Sequence, residues 1–367
     1  MGVIRWGRES KQEDRMNVGL MMECDYREGR TQDEAFDEAF STAENAEEWG
    51  FDGVWLAERH FAPPGSGRAI PSVVSSPLIF ATAIAARTSH IRVGTAVLVL
   101  PLGHPVRMAE EVATLDNISR GRLDLGIGRS GFPWAYEGYN IPYSESRERF
   151  REYFEVMKLA WTQERFSYEG NYYNFQDVCL IPKPYQSPHP PLRYAASTRE
   201  TFTAMGQLGM PIFAGLGGVS APELAEAISE YRIAWQEAGH PGDGDVMLRV
   251  GIYVAGDRDR AFSEPQESTM RYYDRIRRSL VQTSSSFGGE ARAQRAQRLS
   301  SITYEDALKD RLVYGTPKAV VHRLEELRDE LGLSGVIMEP NVGGLIPPDR
   351  LNNSIRLFGQ EVAPALK

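Results

Sequence analysis

The segments Ile91-Arg-Val-Gly-Thr-Ala-Val-Leu-Val-Leu100, Pro105-Val-Arg-Met-Ala-Glu-Glu-Val-Ala-Thr-Leu-Asp-Asn-Ile118 and Arg122-Leu-Asp-Leu-Gly126 decide the fold. The first is almost continuously apolar and rich in valine, as a strand buried on both faces requires. The second opens on a proline, which suits a first helical turn, and continues with helical spacing. The third is again short, with Leu123 and Leu125 at alternate positions. Strand, helix and strand in this order make a crossover between parallel strands. The same alternation extends in both directions. Strands are expected at Asn17 to Met22, Gly53 to Ala57, Pro191 to Ala195, Pro211 to Phe213, Leu248 to Ala255 and Gly335 to Met338. Helices are expected at Asp33 to Trp49, Ser75 to Ala86, Ser144 to Trp161, Thr198 to Leu208, Ala221 to Ala238, Pro317 to Leu331 and Arg350 to Glu361. Eight strands each followed by a helix fit an α/β fold of the (β/α)8 TIM barrel type better than an open doubly wound sheet.

Two connections exceed plain barrel loops. Phe166 to Phe175 reads as a hairpin turning at Gly170-Asn171, followed by a proline-rich stretch from Ile181 to Pro191. Residues 257–311, between strands seven and eight, are the longest insertion and carry Thr283-Ser-Ser-Ser-Phe-Gly-Gly, a composition expected of a mobile lid. The division expected is an N-terminal tail over 1–16 and a single barrel domain over 17–367.

A net charge of −9 gives no general attraction for nucleic acid or anionic lipid, so neither is an expected partner. The most apolar run, Val93 to Leu102, is about half of the roughly 20 residues a spanning helix needs, and a cytoplasmic protein is expected. Cys24 and Cys179 stand far apart without metal-ligand spacing, so no metal site is indicated.

In a barrel the chemistry gathers at the C-terminal strand ends. After the second strand come Glu58-Arg59-His60-Phe61, which place a carboxylate, a guanidinium and an imidazole together. After the fourth, Gly126-Ile-Gly128-Arg129-Ser-Gly131 has the spacing of a dinucleotide fingerprint. The following Phe132-Pro-Trp134-Ala-Tyr136-Glu-Gly-Tyr139 reads as an aromatic loop, and a dinucleotide site would instead open straight into a helix. Gly128 is therefore expected to let a flat ligand approach the backbone, with Arg129 placed to neutralise a phosphate. The aromatics are candidates for an apolar substrate pocket. Ser197 or Thr198, after the fifth strand, would cap a helix whose free N–H groups suit an anion. His104 before Pro105 is as good a packing or capping residue as a catalytic one.

Three stretches together carry a resemblance: Gly50-Phe-Asp-Gly-Val-Trp-Leu-Ala-Glu-Arg-His-Phe61, Val93 to Glu110 and Leu115 to Arg129. The sequence resembles the bacterial luciferase-like flavin-dependent monooxygenases, densely in its N-terminal half and more thinly at Tyr194-Ala-Ala-Ser-Thr198 and Val313-Tyr-Gly-Thr-Pro317. The resemblance implies a (β/α)8 barrel that binds reduced FMN as a co-substrate, supplied by a separate NAD(P)H-dependent flavin reductase. It implies reaction with O2 through a C4a-(hydro)peroxyflavin to oxygenate a small organic substrate, and a homodimer paired through the region of the second and third helices. It maps a non-proline cis peptide beneath the flavin to Ala96-Val97, phosphate positions to Arg129 and Ser197, and polar positions near the flavin to His104 and Glu110. The pattern departs from the light-emitting subunit of luciferase at Arg59, where that subunit has a catalytic histidine, and at Ala196 and Glu200, where it has polar phosphate partners. Light emission is not expected. Arg59 would stabilise a developing anion by charge, with His60 the local proton carrier and Glu58 either orienting His60 or pairing with Arg59. The competing readings are a deazaflavin-dependent oxidoreductase on the same barrel and a catalytically silent flavin-binding subunit.

Overall fold

In the computed structural model of the protein, residues 15–24, 29–61, 72–284, 296–297 and 299–367 are described below. The strands are β1 (Asn17–Met22), β2 (Gly53–Leu56), β3 (Arg92–Thr95), β4 (Leu98–Val99), β5 (Leu123–Gly128), β6 (Phe166–Glu169), β7 (Asn174–Val178), β8 (Leu192–Ala195), β9 (Ile212–Gly215), β10 (Val246–Val254), β11 (Leu312–Gly315) and β12 (Gly335–Glu339). The helices that matter for the site are α1 (Gln32–Glu48), α2 (Pro77–Arg87), α3 (Pro105–Ile118), α4 (Pro133–Gly138), α5 (Ser146–Thr162), α6 (Arg199–Gln207) and α7 (Ala221–Glu237). Hydrogen-bonded order runs β12-β1-β2-β3-β5-β8-β9-β10, and β10 bonds back to β12, so the sheet closes as a (β/α)8 barrel.

The chain divides into two units, described in turn. One holds the described residues of 22–47 and 53–195. Here β2, β3, β5 and β8 are parallel, with Gly53 opposite Arg92, Val93 opposite Leu123 and Leu125 opposite Leu192. Val54, Leu56, Val93, Leu123 and Ile127 are fully buried, which is why these strands read as continuous apolar runs. The expected hairpin is present as antiparallel β6 and β7. Its turn is anchored by the buried Glu152 of α5, whose carboxylate accepts the N–H groups of Asn171, Tyr172 and Tyr173.

The other unit holds the described residues of 15–21, 48–52 and 196–367. In it β1 and β9 to β12 pair in parallel, with Asn17 and Met247 both opposite Gly335 and Val246 opposite Ile212. The strand β11 was not expected from the sequence. Among the described residues it pairs only with the outer half of β10, Gly251 to Val254, and a run of four residues has too little length to show periodicity. The insertion contains helices Arg258–Ser263, Gln266–Ser284 and Tyr304–Asp310. Residues 285–295 and 298 of the expected lid insertion and 1–14 of the expected tail lie outside the described residues. The expected last helix is Pro348–Leu357, followed by a π-helical turn over Phe358–Val362.

Two further expectations are corrected. The strand expected over Ile91 to Leu100 is two strands, because the Thr95 side chain takes over pairing at its end. Its hydroxyl accepts from Gly126 N at 3.0 Å and donates to Gly126 O at 2.8 Å. The aromatic stretch expected as a loop is the short helix α4, since Pro133 stands at its first turn, where the missing N–H costs nothing. The contrast with a dinucleotide fingerprint survives in another form: Ser130, with φ 61°, and three further residues separate β5 from that helix.

One carboxylate ties α1 to the entry of β3. Glu47 accepts N–H groups from Ser89, His90 and Ile91 at 2.8 to 3.0 Å. Burial pushes its carboxyl up, but these three donors outweigh it and hold the group below its ordinary 4.5. A carboxyl lowered by folding stabilises above its unfolded value and loses that contribution as pH falls through the folded one. Glu47→Gln is thus expected to destabilise at neutral pH, with the difference from wild type shrinking below about pH 4.5 in acid-unfolding curves.

Candidate active site

Beyond β2 the side chains of consecutive residues make different contacts. Glu58 Oε1 lies 2.6 Å from His60 Nε2, and Oε2 accepts the Val99 N–H at 2.7 Å. Both side chains are nearly buried, at 9% and 7% exposure. The Glu58 carboxylate contacts His60 and not the Arg59 guanidinium. Arg59 instead donates to Glu23 at 2.8 Å, just past the end of β1, and its guanidinium lies 5.7 Å from the Phe132 ring centroid. Its charge is therefore already matched. Glu23 was not anticipated, although the rule of inspecting strand ends points to it.

The Ala96–Val97 peptide is cis, as the resemblance implies. The Val97 side chain fills the space over Gly128: a Cβ there would lie 2.7 Å from Val97 Cγ2. On the side where a Cβ would stand, close approach at Gly128 is made by the chain itself. Next to it, Arg129 donates to Ser146 Oγ at 3.1 Å and pairs with no carboxylate among the described residues. The Tyr136 hydroxyl donates to Arg129 O, so helix α4 holds the backbone that carries this guanidinium.

The aromatic residues separate into two groups. Tyr136 is fully buried beside Val99, Leu102 and Ala135 and is a packing residue, not a pocket wall. Burial also raises its phenol well above the ordinary value. Phe132 and Trp134 are half-buried with ring centroids 4.7 Å apart, and Trp134 Nε1 is buried without a hydrogen-bond partner among the described residues. Tyr139, which follows α4, is 43% exposed and reaches His60 Nδ1 at 3.2 Å.

His104 caps α3, its Nδ1 accepting from Arg107 N at 3.4 Å, and its ring packs edge-on to Phe175. The capping alternative is the one seen. Glu110 is half-buried in α3, where its carbonyl accepts from Thr114. In the other unit, Thr198 is the N-cap of α6 and accepts from Thr201 N, with Ser197 exposed before it. Among the described residues no cluster of side chains could hold a metal ion.

A closed barrel with a carboxylate-held imidazole, a cis peptide after β3 and an arginine after β5 matches one family profile, described as luciferase-like monooxygenase, over residues 16–335. The chain belongs to the luciferase-like monooxygenase family. As a member it is an oxidoreductase of the flavin-dependent monooxygenase class. It is 26% identical to the flavin-dependent trigonelline monooxygenase, oxygenase component, of Acinetobacter baylyi, over 66% of each chain. It is 34% identical to an F420-dependent glucose-6-phosphate dehydrogenase of Kineococcus radiotolerans, over 60% of this chain and 64% of that one. Each of these two matches spans slightly under two thirds of the relative. The crystal structure of the monooxygenase RslO1 from Streptomyces bottropensis superposes with a TM-score of 0.76 at 26% identity, covering 95% of this chain and 99% of the other. No helix among the described residues is long and apolar enough to cross a membrane.

Proposed function

We propose that the protein is the oxygenase component of a two-component monooxygenase that takes reduced FMN from an NAD(P)H-dependent flavin reductase and oxygenates a small organic substrate with O2. The observation that carries the reading is Arg129, a guanidinium beyond β5 with a hydroxyl neighbour and no carboxylate partner among the described residues. A phosphate supplies the missing charge, which fits FMN. When bound, reduced FMN supplies the chemistry that activates oxygen. The chain binds and orients it: Gly128 and Arg129 at the phosphate, Ala96 and Val97 at the ring, with His104 and Glu110 toward the α3 end. Phe132 and Trp134 form an apolar wall, and the unpaired Trp134 N–H suits a substrate bearing a hydrogen-bond acceptor. Ser197 and Thr198 remain candidates from the sequence. Proton handling falls to Glu58 and His60, which are kept from bulk water.

The relation to an F420-dependent dehydrogenase favours, as a second reading, hydride transfer with a deazaflavin. Anaerobic titration with reduced FMN and with reduced deazaflavin, followed by rapid mixing with oxygen, separates them. FMN binding and a flavin reoxidation in two resolved phases are expected; reoxidation in one phase at the rate of free flavin, or selective binding of deazaflavin, rejects the proposal. Product formation by the isolated chain rejects the silent subunit.

With Arg59 tied to Glu23, the role proposed for it is to hold the loop beyond β2. Arg59→Ala is expected to lower the melting temperature by a few degrees while leaving the oxygen-dependent phases in place; loss of the first phase at an unchanged melting temperature would restore the electrostatic role. The exposed Ile79 on α2 and Ile118 at the end of α3 support pairing of two copies through these helices. Light scattering is expected to give twice the chain mass, and a monomer at micromolar concentration opposes it.

A further inference from the structure

The imidazole of His60 has no free nitrogen. Its Nε2 is 2.6 Å from the Glu58 carboxylate, an acceptor only, so the ring proton sits on Nε2. The other nitrogen, Nδ1, then presents a lone pair to the Tyr139 hydroxyl at 3.2 Å. The two rings meet edge to face, with centroids 5.0 Å apart. A reactant cannot exchange a proton with His60 directly without breaking one of these contacts. Exposure follows the same gradient, from 7% for the His60 side chain to 43% for Tyr139.

We propose that Tyr139 is the working end of a Glu58–His60–Tyr139 relay, the group through which this chain gives a proton to a reacting oxygen or removes one. The inference rests on the monooxygenase reading for the identity of the reactant, and on geometry alone for the relay. In the donating direction, the Tyr139 O–H gives its proton to the reactant. The phenol oxygen takes the Nδ1 proton of a protonated His60, and His60 is left neutral with its Nε2–H on Glu58. The accepting direction reverses each transfer; one proton is moved, Tyr139 ends with its own proton restored, and His60 alternates between its neutral and doubly protonated forms beside the Glu58 carboxylate.

The surroundings suit a phenol that relays and does not ionise. Burial raises the Tyr139 phenol, and the negative charge of Glu58 raises it further. Among the described residues, the neighbouring Arg59 is matched by Glu23, and Tyr153 of α5 feels the charge of Glu58. The Tyr153 phenol is pushed well up by burial, with the charge of Glu58 contributing. Phe61, at φ 54°, lays its ring beside Tyr139 with centroids 5.4 Å apart. Gly138 leaves room for that ring, since a Cβ there would lie 2.3 Å from Phe61 Cε2.

Two measurements on the full chain test the relay. In the cofactor-free protein, nitrogen NMR of labelled histidine is expected to show His60 protonated on Nε2, and Tyr139→Phe to move the Nδ1 signal because its donor is gone. A proton on Nδ1, or an Nδ1 signal unmoved by Tyr139→Phe, overturns the relay. In the protein loaded with reduced FMN and mixed with oxygen, Tyr139→Phe is expected to slow the proton-dependent absorbance phase by about tenfold or more and to flatten its dependence on pH and on heavy water. A wild-type rate and pH profile in that variant overturns it. If the wild-type protein shows no oxygen-dependent phase, the FMN reading fails separately, and the NMR result alone decides the relay.

Discussion

Arg129→Ala is expected to weaken FMN binding by roughly 10- to 100-fold while changing riboflavin affinity little, because on the proposed reading a charge-assisted hydrogen bond of about 1.5–3 kcal/mol is lost only when the phosphate is present. Arg129 is well suited to show so clean a difference. It pairs with no carboxylate among the described residues, so removing it strands no buried anion, and its neighbour Ser146 keeps a hydroxyl able to rearrange. The main chain at this position is fixed separately by the Tyr136 hydroxyl, so the alanine backbone stays where the arginine backbone was. Equal weakening of FMN and riboflavin, measured by fluorescence titration, would remove Arg129 from the phosphate. Arg129→Lys is expected to recover part of the affinity, because an ammonium restores the charge without the planar fork.

Glu58→Ala is the most destructive single change expected around the site. It leaves the Val99 N–H and the His60 Nε2–H without acceptors in a nearly closed environment, at a cost on the order of 2–4 kcal/mol for the two groups. Chemical denaturation is the measurement, and a loss below about 1 kcal/mol would show that water replaces the carboxylate. Glu58→Gln separates stability from chemistry. Its amide oxygen can still accept from Val99, but its NH2 then faces Nε2, which must become an acceptor and send the ring proton to Nδ1. The variant is expected to fold, with the opposite histidine tautomer and a strongly reduced oxygen-dependent rate. A wild-type rate in Glu58→Gln would show that the tautomer does not matter.

The barrel was legible because each strand buried on both faces leaves an apolar run that survives without knowledge of its neighbours. Leu123 and Ile127 are examples, and the α3 boundaries follow from Pro105 at its start. What the pattern did not carry was exchange of roles between side chain and main chain. The Thr95 hydroxyl that ends β3 looks in the sequence like any strand threonine. Strand β11 is short and leans on one neighbour, leaving no period to detect. In the site, the cluster at 58–60 was identifiable by placement, but not its pairing. The Glu58 carboxylate goes to His60, and the Arg59 guanidinium to Glu23, 36 residues away in the chain. Tyr136 and Tyr139 look alike in one aromatic stretch. Their fates differ because a short helix turns one into the core and leaves the other at its exposed end.

The missing side chain at Gly138 also bears on how substrate range could be altered in this scaffold. The connection from β5 to α5 is an obvious segment to transplant between relatives, since it brings the aromatic wall with it. Yet residue 138 and residue 61 belong to different loops and occupy one volume. A graft that brings any larger residue to position 138 would push the Phe61 ring off Tyr139, so the two loops have to be exchanged as a matched pair.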